Sequence, residues 1–358
     1  MMTKPVRVAV VGPGSWGRVL TKASAQSANL EFVACVGRSP DKLAAFSREM
    51  ALPVRSFDDV LKDKGIDAVV LALPNDLHYE FTRRAAEAGK HVYVEKPIAA
   101  TVAEGVQALD LEHRHGVRIV VGHCARLLAG NRLIRKAIDD GTLGQVTQIE
   151  AMFANDRAMR LHDKDWRFYS KGAPGGPLSQ IAIHQFDTVR YLGGDIASVS
   201  AQTARHAPVG AEVEDQWIVS LRFADGKLGT VISSWTGPGV YSVRVTGFDA
   251  LMFYDIDQTS WANADRLHEN ATLYIQPRAG GPAARRMLDV PPGNMFRDEL
   301  ELFAQAVRGG DCELSAANGL QALAAVDAAM KSARENSRLV ALAEIIDEAK
   351  AGKAGKGH

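Results

Sequence analysis

The sequence lacks long apolar runs and any excess of charge of one sign. No uninterrupted apolar stretch approaches the ~20 residues that a membrane-spanning helix needs. Lys and Arg together number 42, as do Asp and Glu, so no net field attracts nucleic acid or an anionic membrane. The N-terminal stretch MMTKPVRVAVVG shows no apolar signal-peptide core with a cleavage site. We therefore expect a cytoplasmic protein whose partners are small molecules.

Cysteine is also scarce. Cys35, Cys124 and Cys312 are far apart and form no C-x-x-C pair, which argues against a disulfide framework and a structural zinc site. His113, His115 and His123 lie near Cys124, but they fall on two separate predicted elements and lack a carboxylate at ligand spacing. No metal site is predicted.

The first 124 residues alternate apolar runs with helical patterns. The runs are rich in Val, Ile and Ala and do not alternate with polar residues, as in strands covered on both faces of a parallel sheet. They cover 6–12, 30–36, 66–73, 90–94 and 117–122, and helices are predicted over 15–27, 40–50, 77–88 and 101–115. This order predicts an α/β domain over 1–124 with a doubly wound parallel sheet of the Rossmann type.

After residue 125 strand patterns dominate, which predicts a second, α+β domain over 125–294 with a mostly antiparallel sheet. WIVSLRF and LGTVISSW are joined by Ala-Asp-Gly-Lys and predict a hairpin. Helical patterns return over 295–345, in a segment expected to pack back between the two domains. The tail 346–358 is small and basic and is expected to fray.

A glycine-rich loop follows the first predicted strand. In GPGSWG, the glycines Gly12, Gly14 and Gly17 have the G-x-G-x-x-G spacing, and Ser15 and Trp16 open the following helix. These glycines allow a tight turn, close approach of a pyrophosphate, and packing of helix on strand. The loop predicts dinucleotide binding; the alternative is that the glycines only shape a turn.

The end of the second predicted strand bears on which dinucleotide is bound. An acid there normally binds the ribose hydroxyls of NAD, but this sequence has Arg38 and Ser39, and the first acid is Asp41. An arginine and a serine suit a 2′-phosphate, which a carboxylate would repel. We predict NADP in preference to NAD; the alternative is that Arg38 is a solvated loop residue.

Two polar clusters are candidates for chemistry. The first follows the strands 66–73 and 90–94, whose carboxyl ends face ligands in doubly wound sheets. Its members are expected to contact the nicotinamide half of the cofactor, and Lys96 also the substrate: Pro74, Asn75, His78, Glu95 and Lys96. The second comprises Gln180, His184 and Asp187, whose i, i+4, i+7 spacing puts them on one helical face. A helical histidine is often structural, and that alternative stays open.

The chain resembles the glucose-fructose oxidoreductase, inositol dehydrogenase and MocA (Gfo/Idh/MocA) oxidoreductases over nearly its whole length. The resemblance rests on GPGSWG, on EKP at 95–97, on DWR at 165–167 and on IHQFDTVRYLGG at 183–194. It implies a Rossmann domain, a second domain with an open sheet often used in oligomer contacts, Lys96 as the catalytic lysine and His184 as acid and base. Gln180 departs from the pattern, which commonly has an aspartate there.

Further residues are candidates for binding. Arg126 resembles an arginine of the family and is expected to contact both cofactor and substrate, and Trp166 and Arg167 are expected near the cofactor or substrate. Asp156, Arg157 and His162 could also face the pocket; the alternative for each is an ordinary polar contact. A mixed polar and aromatic lining suits a hydroxylated ligand.

The activity expected is reversible hydride transfer between NADP and a secondary alcohol of a sugar, sugar derivative or cyclitol. Lys96 or His184 would move the hydroxyl proton, for which the pKa of a lysine must fall from its ordinary value of about 10.4. Alternatives are a dehydrogenase of cyclic dihydrodiols and a non-catalytic NADP sensor on the same scaffold. The resemblance favours a homodimer or homotetramer.

Overall fold

The computed structural model describes residues 4–354, and these residues divide into two compact units. The first unit combines residues 4–124 with Asn294–Leu320 and with residues 349–354. The second unit combines Ala125–Gly293 with Gln321–Glu348. No helix within residues 4–354 is both long and apolar enough to cross a membrane.

Within the described residues the elements are as follows. The strands are β1 (Val6–Val11), β2 (Leu30–Val36), β3 (Ala68–Leu71), β4 (His91–Glu95), β5 (Ile119–Gly122), β6 (Val146–Ala154), β7 (Ile196–Ala204), β8 (Gln216–Phe223), β9 (Leu228–Ser234), β10 (Val240–Gly247), β11 (Ala250–Ile256), β12 (Thr272–Pro277), β13 (Arg286–Met287) and β14 (Val340–Ala341). The α-helices are α1 (Ser15–Ala23), α2 (Pro40–Met50), α3 (Phe57–Lys62), α4 (His78–Glu87), α5 (Val102–His115), α6 (Ala129–Asp139), α7 (Ile183–Gly193), α8 (Met295–Val307), α9 (Ala316–Arg334) and α10 (Leu342–Ala354).

The first unit contains a five-stranded parallel sheet in the order β2-β1-β3-β4-β5. Strands β3 and β5 are buried at every residue, which explains why their sequences do not alternate. Helix α5 starts with the predicted capping box, in which Thr101 accepts from the amide of Glu104 and the Glu104 side chain accepts from the amide of Thr101. The predicted doubly wound α/β fold is confirmed.

A segment from far along the chain completes the first unit. Helix α8 packs against α1, where the rings of Trp16 and Phe296 lie 5.6 Å apart, and against β4, where Tyr93 meets Phe303 edge to face at 6.0 Å. The amide of Val121 in β5 donates to the carbonyl of Leu314 at 2.9 Å. The core of this unit is therefore built from both ends of the chain.

The second unit contains a nine-stranded sheet in the order β13-β12-β11-β10-β6-β9-β8-β7-β14. Neighbouring strands are antiparallel except for β6 and β9. The predicted hairpin is present as β8 and β9, and the predicted mostly antiparallel sheet is confirmed. Burial alternates along β8, β10 and β11, so one face of the sheet is buried and the other is half-exposed or exposed.

The C-terminal segment differs from the sequence-based expectation. Residues 346–354, predicted to fray, belong to helix α10, and Lys331 of α9 forms ion pairs with Glu344 and Glu348 of that helix. The repeated small residues do not end the helix, because alanine is the best helix former. Residues 355–358 lie outside the described residues.

Candidate active site

The glycine loop between β1 and α1 has the geometry of a pyrophosphate cradle. Gly12 has φ +109°, and a Cβ there would lie 2.2 Å from the carbonyl oxygen of Ala72. A Cβ at Gly17 would lie 2.2 Å from the carbonyl oxygen of Gly12, whereas a Cβ at Gly14 would meet no atom of residues 4–354 within 4 Å. Gly14 is the N-cap of α1, so the open space beside it faces the free amides of a helix N-terminus. The loop fits a dinucleotide.

The end of β2 presents the two residues expected to select the dinucleotide. Arg38 and Ser39 are both exposed, and within residues 4–354 Arg38 makes no ion pair. Ser39 is the N-cap of α2, but its hydroxyl does not cap the helix. A Cβ at Gly37 would lie 2.7 Å from the Pro13 ring, so the turn that leads to Arg38 needs glycine and lies close to the glycine loop.

The end of β3 leads through Pro74 and Asn75 into a short 3₁₀ turn. His78 is completely buried, with Nδ1 2.6 Å from the carbonyl oxygen of Pro97 and Nε2 2.9 Å from that of Leu73. Burial lowers the pKa of His78 despite these two carbonyls. Its ring thus holds the loops after β3 and β4 together, and any effect of His78 on the cofactor would act through those backbones.

Glu95 and Lys96 close strand β4 at the same edge of the sheet. Both are half-buried, and a cis peptide bond joins Lys96 to Pro97. Burial raises the pKa of Glu95 to about 7, while the adjacent Lys96 lowers it. A Cβ at Gly122, opposite Glu95 in β5, would lie 2.4 Å from the Tyr93 hydroxyl and 3.4 Å from the Glu95 carboxyl carbon. Gly122 therefore provides the space that these two side chains fill.

A second buried acid lies beneath this turn. Glu299 of α8 has no exposed surface, and its carboxyl oxygens have no hydrogen-bond partner at normal distance among the described residues. Burial and the nearby Glu95 raise the pKa of Glu299 well above its ordinary value. The Tyr93 hydroxyl faces both acids and donates to Glu95 at 3.5 Å. The neutral form of Glu299 is therefore favoured.

In the second unit, Gln180 and His184 lie where a π-helical turn, Leu178–Ala182, runs into α7. Single π turns occur often at functional sites because they shift the side chains that follow. His184 is buried against two aromatic rings, with ring centroids 6.2 Å from Phe153 and 5.8 Å from Trp261. An imidazole in such surroundings has a fixed orientation and little contact with water.

Arg126 and Asp187 form a buried ion pair. Arg126 Nε donates to Asp187 Oδ2 at 2.9 Å and Nη2 to Oδ1 at 2.5 Å, and the two side chains are 4% and 1% exposed. The guanidinium also lies over the ring of Tyr191. The structure brings these two predicted binding residues together in a bidentate pair that joins α7 to the start of the second unit.

Trp166 and Arg167 lie together, with the guanidinium carbon of Arg167 3.9 Å from the indole centroid. Arg167 Nε donates to Gln180 Oε1 at 3.3 Å, so three predicted residues are in contact. Asp156 pairs with Arg160, and exposed His162 lies 3.5 Å from Asp165. The binding roles assigned to all these residues from the sequence stay predictions.

The sequence interpretation missed Tyr93, Glu299 and the aromatic rings around His184. A signal for Glu299 was present, because it shares the i, i+3, i+4, i+7 stripe of Phe296, Leu300 and Phe303 and thus holds an apolar position. An acid on a core-facing stripe is rarely left without a function or a partner. No local pattern marked Phe153 or Trp261, which meet His184 only through the tertiary fold.

The glycine loop and the polar ends of β3 and β4 define a nicotinamide dinucleotide-binding domain of an oxidoreductase. Residues 6–123 match the model of the oxidoreductase family with an NAD-binding Rossmann fold, and residues 131–262 match the model of the GFO/IDH/MocA C-terminal domain. The chain belongs to the Gfo/Idh/MocA family and is an enzyme of the dehydrogenase and reductase type, as the sequence resemblance predicted.

Three relatives illustrate the similarity. A crystal structure from Desulfitobacterium hafniense DCB-2, described as an NADPH-dependent oxidoreductase, is 34% identical with a TM-score of 0.93 and covers 96% of this chain and 100% of its own. Aldose-aldose oxidoreductase from Caulobacter crescentus is 28% identical with a TM-score of 0.82, covering 94% and 99%. The scyllo-inositol 2-dehydrogenase (NAD(+)) of Bacillus subtilis strain 168 is 30% identical, covering 86% and 88%.

Proposed function

We propose that the protein is an NADP-dependent dehydrogenase that interconverts a secondary alcohol and a ketone of a sugar, sugar derivative or cyclitol. The observation that carries this proposal is the position of the glycine loop and of the Glu95-Lys96-Pro97 turn at one edge of a single parallel sheet. The segment 1–124 binds the cofactor, and 125–294 supplies most contacts to the substrate. The relatives that act on inositol and aldoses support this substrate class.

The residues that move the proton are Lys96 and His184. Bound NADP supplies a hydride acceptor or donor at the nicotinamide ring. On oxidation the alcohol C–H bond breaks with its electron pair, and the O–H proton passes to Lys96 or His184, so the products are ketone, reduced cofactor and one proton. The aromatic surroundings of His184 keep water away from this proton.

Selection of NADP is assigned to Arg38 and Ser39. Their exposed side chains follow β2 and, among residues 4–354, are not engaged in an ion pair or a helix cap, so both can reach a 2′-phosphate. The Desulfitobacterium hafniense structure, described as NADPH-dependent, supports this preference, although the scyllo-inositol relative is named for NAD(+). Gln180 positions substrate by hydrogen bonding, since an amide both donates and accepts.

A turnover screen tests the activity. The full chain is incubated with NADP and with panels of polyols, sugars, cyclitols and cyclic dihydrodiols, while the absorbance of the reduced nicotinamide is followed. Lys96→Met and His184→Asn are each expected to lower kcat by about 10²- to 10⁴-fold with NADP affinity retained. Matched controls are Lys64→Met and His113→Asn, both at exposed positions.

Three outcomes of that screen would each contradict part of the proposal. Near-normal turnover by Lys96→Met with intact cofactor binding would remove the lysine from the chemistry. NADP binding without hydride transfer to any member of the panel would favour the cofactor-sensing alternative, and turnover confined to dihydrodiols would change the substrate class.

The cofactor preference has its own experiment. Arg38→Ala is expected to weaken NADP binding by about 10- to 100-fold, the effect of losing one charge-assisted hydrogen bond, with NAD binding unchanged. Arg48→Ala on the exposed surface of α2 is the control. Equal losses for NADP and NAD, or none for either, would refute the role of Arg38.

We further propose that the protein is a homodimer or homotetramer that associates through the exposed face of the nine-stranded sheet. Ile218 on that face of β8 is 55% exposed. Light scattering on wild type and on Ile218→Lys checks this, because a charge in the interface should yield smaller particles.

A further inference from the structure

A cavity of about 860 Å³ lies inside the second unit, beside the aromatic rings that surround His184. The chain runs from Phe153, which contacts the ring of His184, directly into Asn155 and Arg157 in the cavity wall. The loop 236–239 after β9 supplies another part of the wall. Three arginines and two aspartates line this cavity, so it carries one positive charge in excess.

The guanidinium of Arg167 contacts neutral groups in the described part of the chain. Its Nε donates to a neutral amide oxygen, that of Gln180, and its guanidinium stacks on Trp166. Within residues 4–354 no carboxylate lies at ion-pair distance from it. Burial, and next the positive charge of Arg157, lower the pKa of Arg167 to about 10. Such a guanidinium has lost water and gained a like charge, and Asp165, which lies beyond ion-pair distance, offsets these effects only in part.

Arg157 is in the same situation. Its guanidinium lies 5.9 Å from the ring of the fully buried Trp235, and no ion pair with a carboxylate of the described chain compensates it. Burial and the neighbouring Arg160 lower the pKa of Arg157. Arg160 itself is paired with Asp156. The excess charge of the cavity is therefore carried by Arg157 and Arg167.

The remaining walls suit a hydroxylated molecule. Asn155, Thr236, Gln258 and Thr259 supply amide and hydroxyl groups, and Trp166 supplies an exposed aromatic face. The volume lies within the range of about 300–1,000 Å³ of small-molecule sites. Planar guanidinium groups that stack on aromatic rings bind carboxylate and phosphate oxygens in pairs.

We propose that this cavity binds an anionic substituent of the substrate, a carboxylate or a phosphate, through Arg157 and Arg167. The inference rests on the proposed dehydrogenase function and narrows its substrate class to acidic sugar derivatives. Gln180 is a neutral partner and leaves the charge of Arg167 available. The residue at position 180, four before His184, therefore also determines whether the site prefers an anionic or a neutral substrate.

The test compares matched neutral and acidic ligands on the full chain. Binding of D-glucose, D-glucuronate and D-glucose 6-phosphate is measured by calorimetry without cofactor, and turnover is then measured with NADP. We expect one acidic ligand to bind about 10- to 100-fold more tightly than glucose, and Arg157→Gln and Arg167→Gln each to remove most of that difference. The glucuronate and phosphate arms distinguish the two kinds of anion.

Arg285→Gln is the control, because Arg285 also stacks on an aromatic ring, that of Tyr274, but outside the cavity. This variant should keep the preference for the acid. Thermal unfolding of each variant ensures that a loss of binding does not reflect loss of fold.

Failure of this inference and failure of the proposed function give different results. Turnover of neutral and acidic ligands at equal kcat/KM, unchanged in Arg157→Gln and Arg167→Gln, would overturn the anion site and leave the dehydrogenase proposal standing. Tight, arginine-dependent binding of the acid without any turnover would support the anion site and count against the dehydrogenase proposal. If neither acid binds more tightly than glucose, the inference is wrong.

Discussion

The buried ion pair of Arg126 and Asp187 leads to a prediction that distinguishes a structural role of Arg126 from a role in binding. Arg126→Met removes the guanidinium and leaves the Asp187 carboxylate, which is 1% exposed, without its bidentate partner. Breaking a buried ion pair from one side costs about 3–5 kcal/mol, because the desolvated charge that remains is not compensated. The free energy of unfolding should fall by that amount.

The magnitude can be checked by a double-mutant cycle in urea. Asp187→Leu should lose a similar amount, whereas the double variant Arg126→Met with Asp187→Leu should recover most of it, since no charge is then left buried. Arg135→Met is the matched control: its ion pair with Asp139 is partly exposed and its guanidinium also approaches the Tyr191 ring. Loss of this partly exposed ion pair should lower the free energy of unfolding by about 1 kcal/mol or less.

The sequence predicts a different role for Arg126, contact with cofactor or substrate, and that role would give a different result. If Arg126 chiefly contacts cofactor or substrate, Arg126→Met will be about as stable as Arg135→Met while its affinity for NADP falls. If instead stability falls by about 3–5 kcal/mol and the double variant recovers it, the ion pair is the main function of this arginine.

The remaining predictions concern the glycine loop and the buried acids of the first unit. Gly14→Ala should fold with normal stability, since its Cβ meets none of the described atoms within 4 Å, yet it should bind NADP about tenfold or more weakly because the methyl group fills the pyrophosphate space. Gly12→Ala should lose at least about 1–3 kcal/mol of stability from its positive φ, with a further loss from the clash with Ala72. Equal thermal unfolding of the two variants would contradict this expectation. The raised pKa of Glu95, about 7 against an ordinary 4.5, means that the folded protein holds a proton which the unfolded chain releases, so stability should fall as pH rises from about 4.5 through 7, by up to about 3 kcal/mol. Glu95→Gln should flatten that profile in urea titrations from pH 5 to 8, and Glu299→Gln should also make it less steep, because the pKa of Glu299 is raised in the same direction. A profile that Glu95→Gln leaves unchanged would show that Glu95 is ionised throughout.

Much of the fold was predictable because its signals are local. A strand covered on both faces reads as a continuous apolar run, so β3 and β5 were visible in the sequence, and the hairpin of β8 and β9 was marked by its turn residues. Strand β12 and helix α10 were missed. The first is a short strand between irregular segments, and the second is rich in alanine and glycine and gains ion pairs from Lys331 that no local pattern reveals.

The candidate site likewise contains residues that local motifs identified and residues that only the tertiary fold brings together. The glycine loop and the Glu95-Lys96-Pro97 turn are contiguous motifs, so spacing alone identified them. The pairing of Arg126 with Asp187 joins residues 61 positions apart, and Glu299 reaches Tyr93 from a distant helix. Such contacts depend on how elements pack. A sequence pattern can mark an unusual residue, such as an acid on an apolar stripe, but does not name its partner.

The division of the first unit between the two ends of the chain has a consequence for synthesis. Trp16 and Tyr93 are made long before Phe296 and Phe303, the rings that cover them. At a translation rate of about 5–20 residues per second, the N-terminal sheet waits on the order of 10–30 s for α8. During that interval an apolar surface stays open on the ribosome-bound chain. Chaperone contact with the nascent protein is therefore expected to end only when residue 320 has emerged.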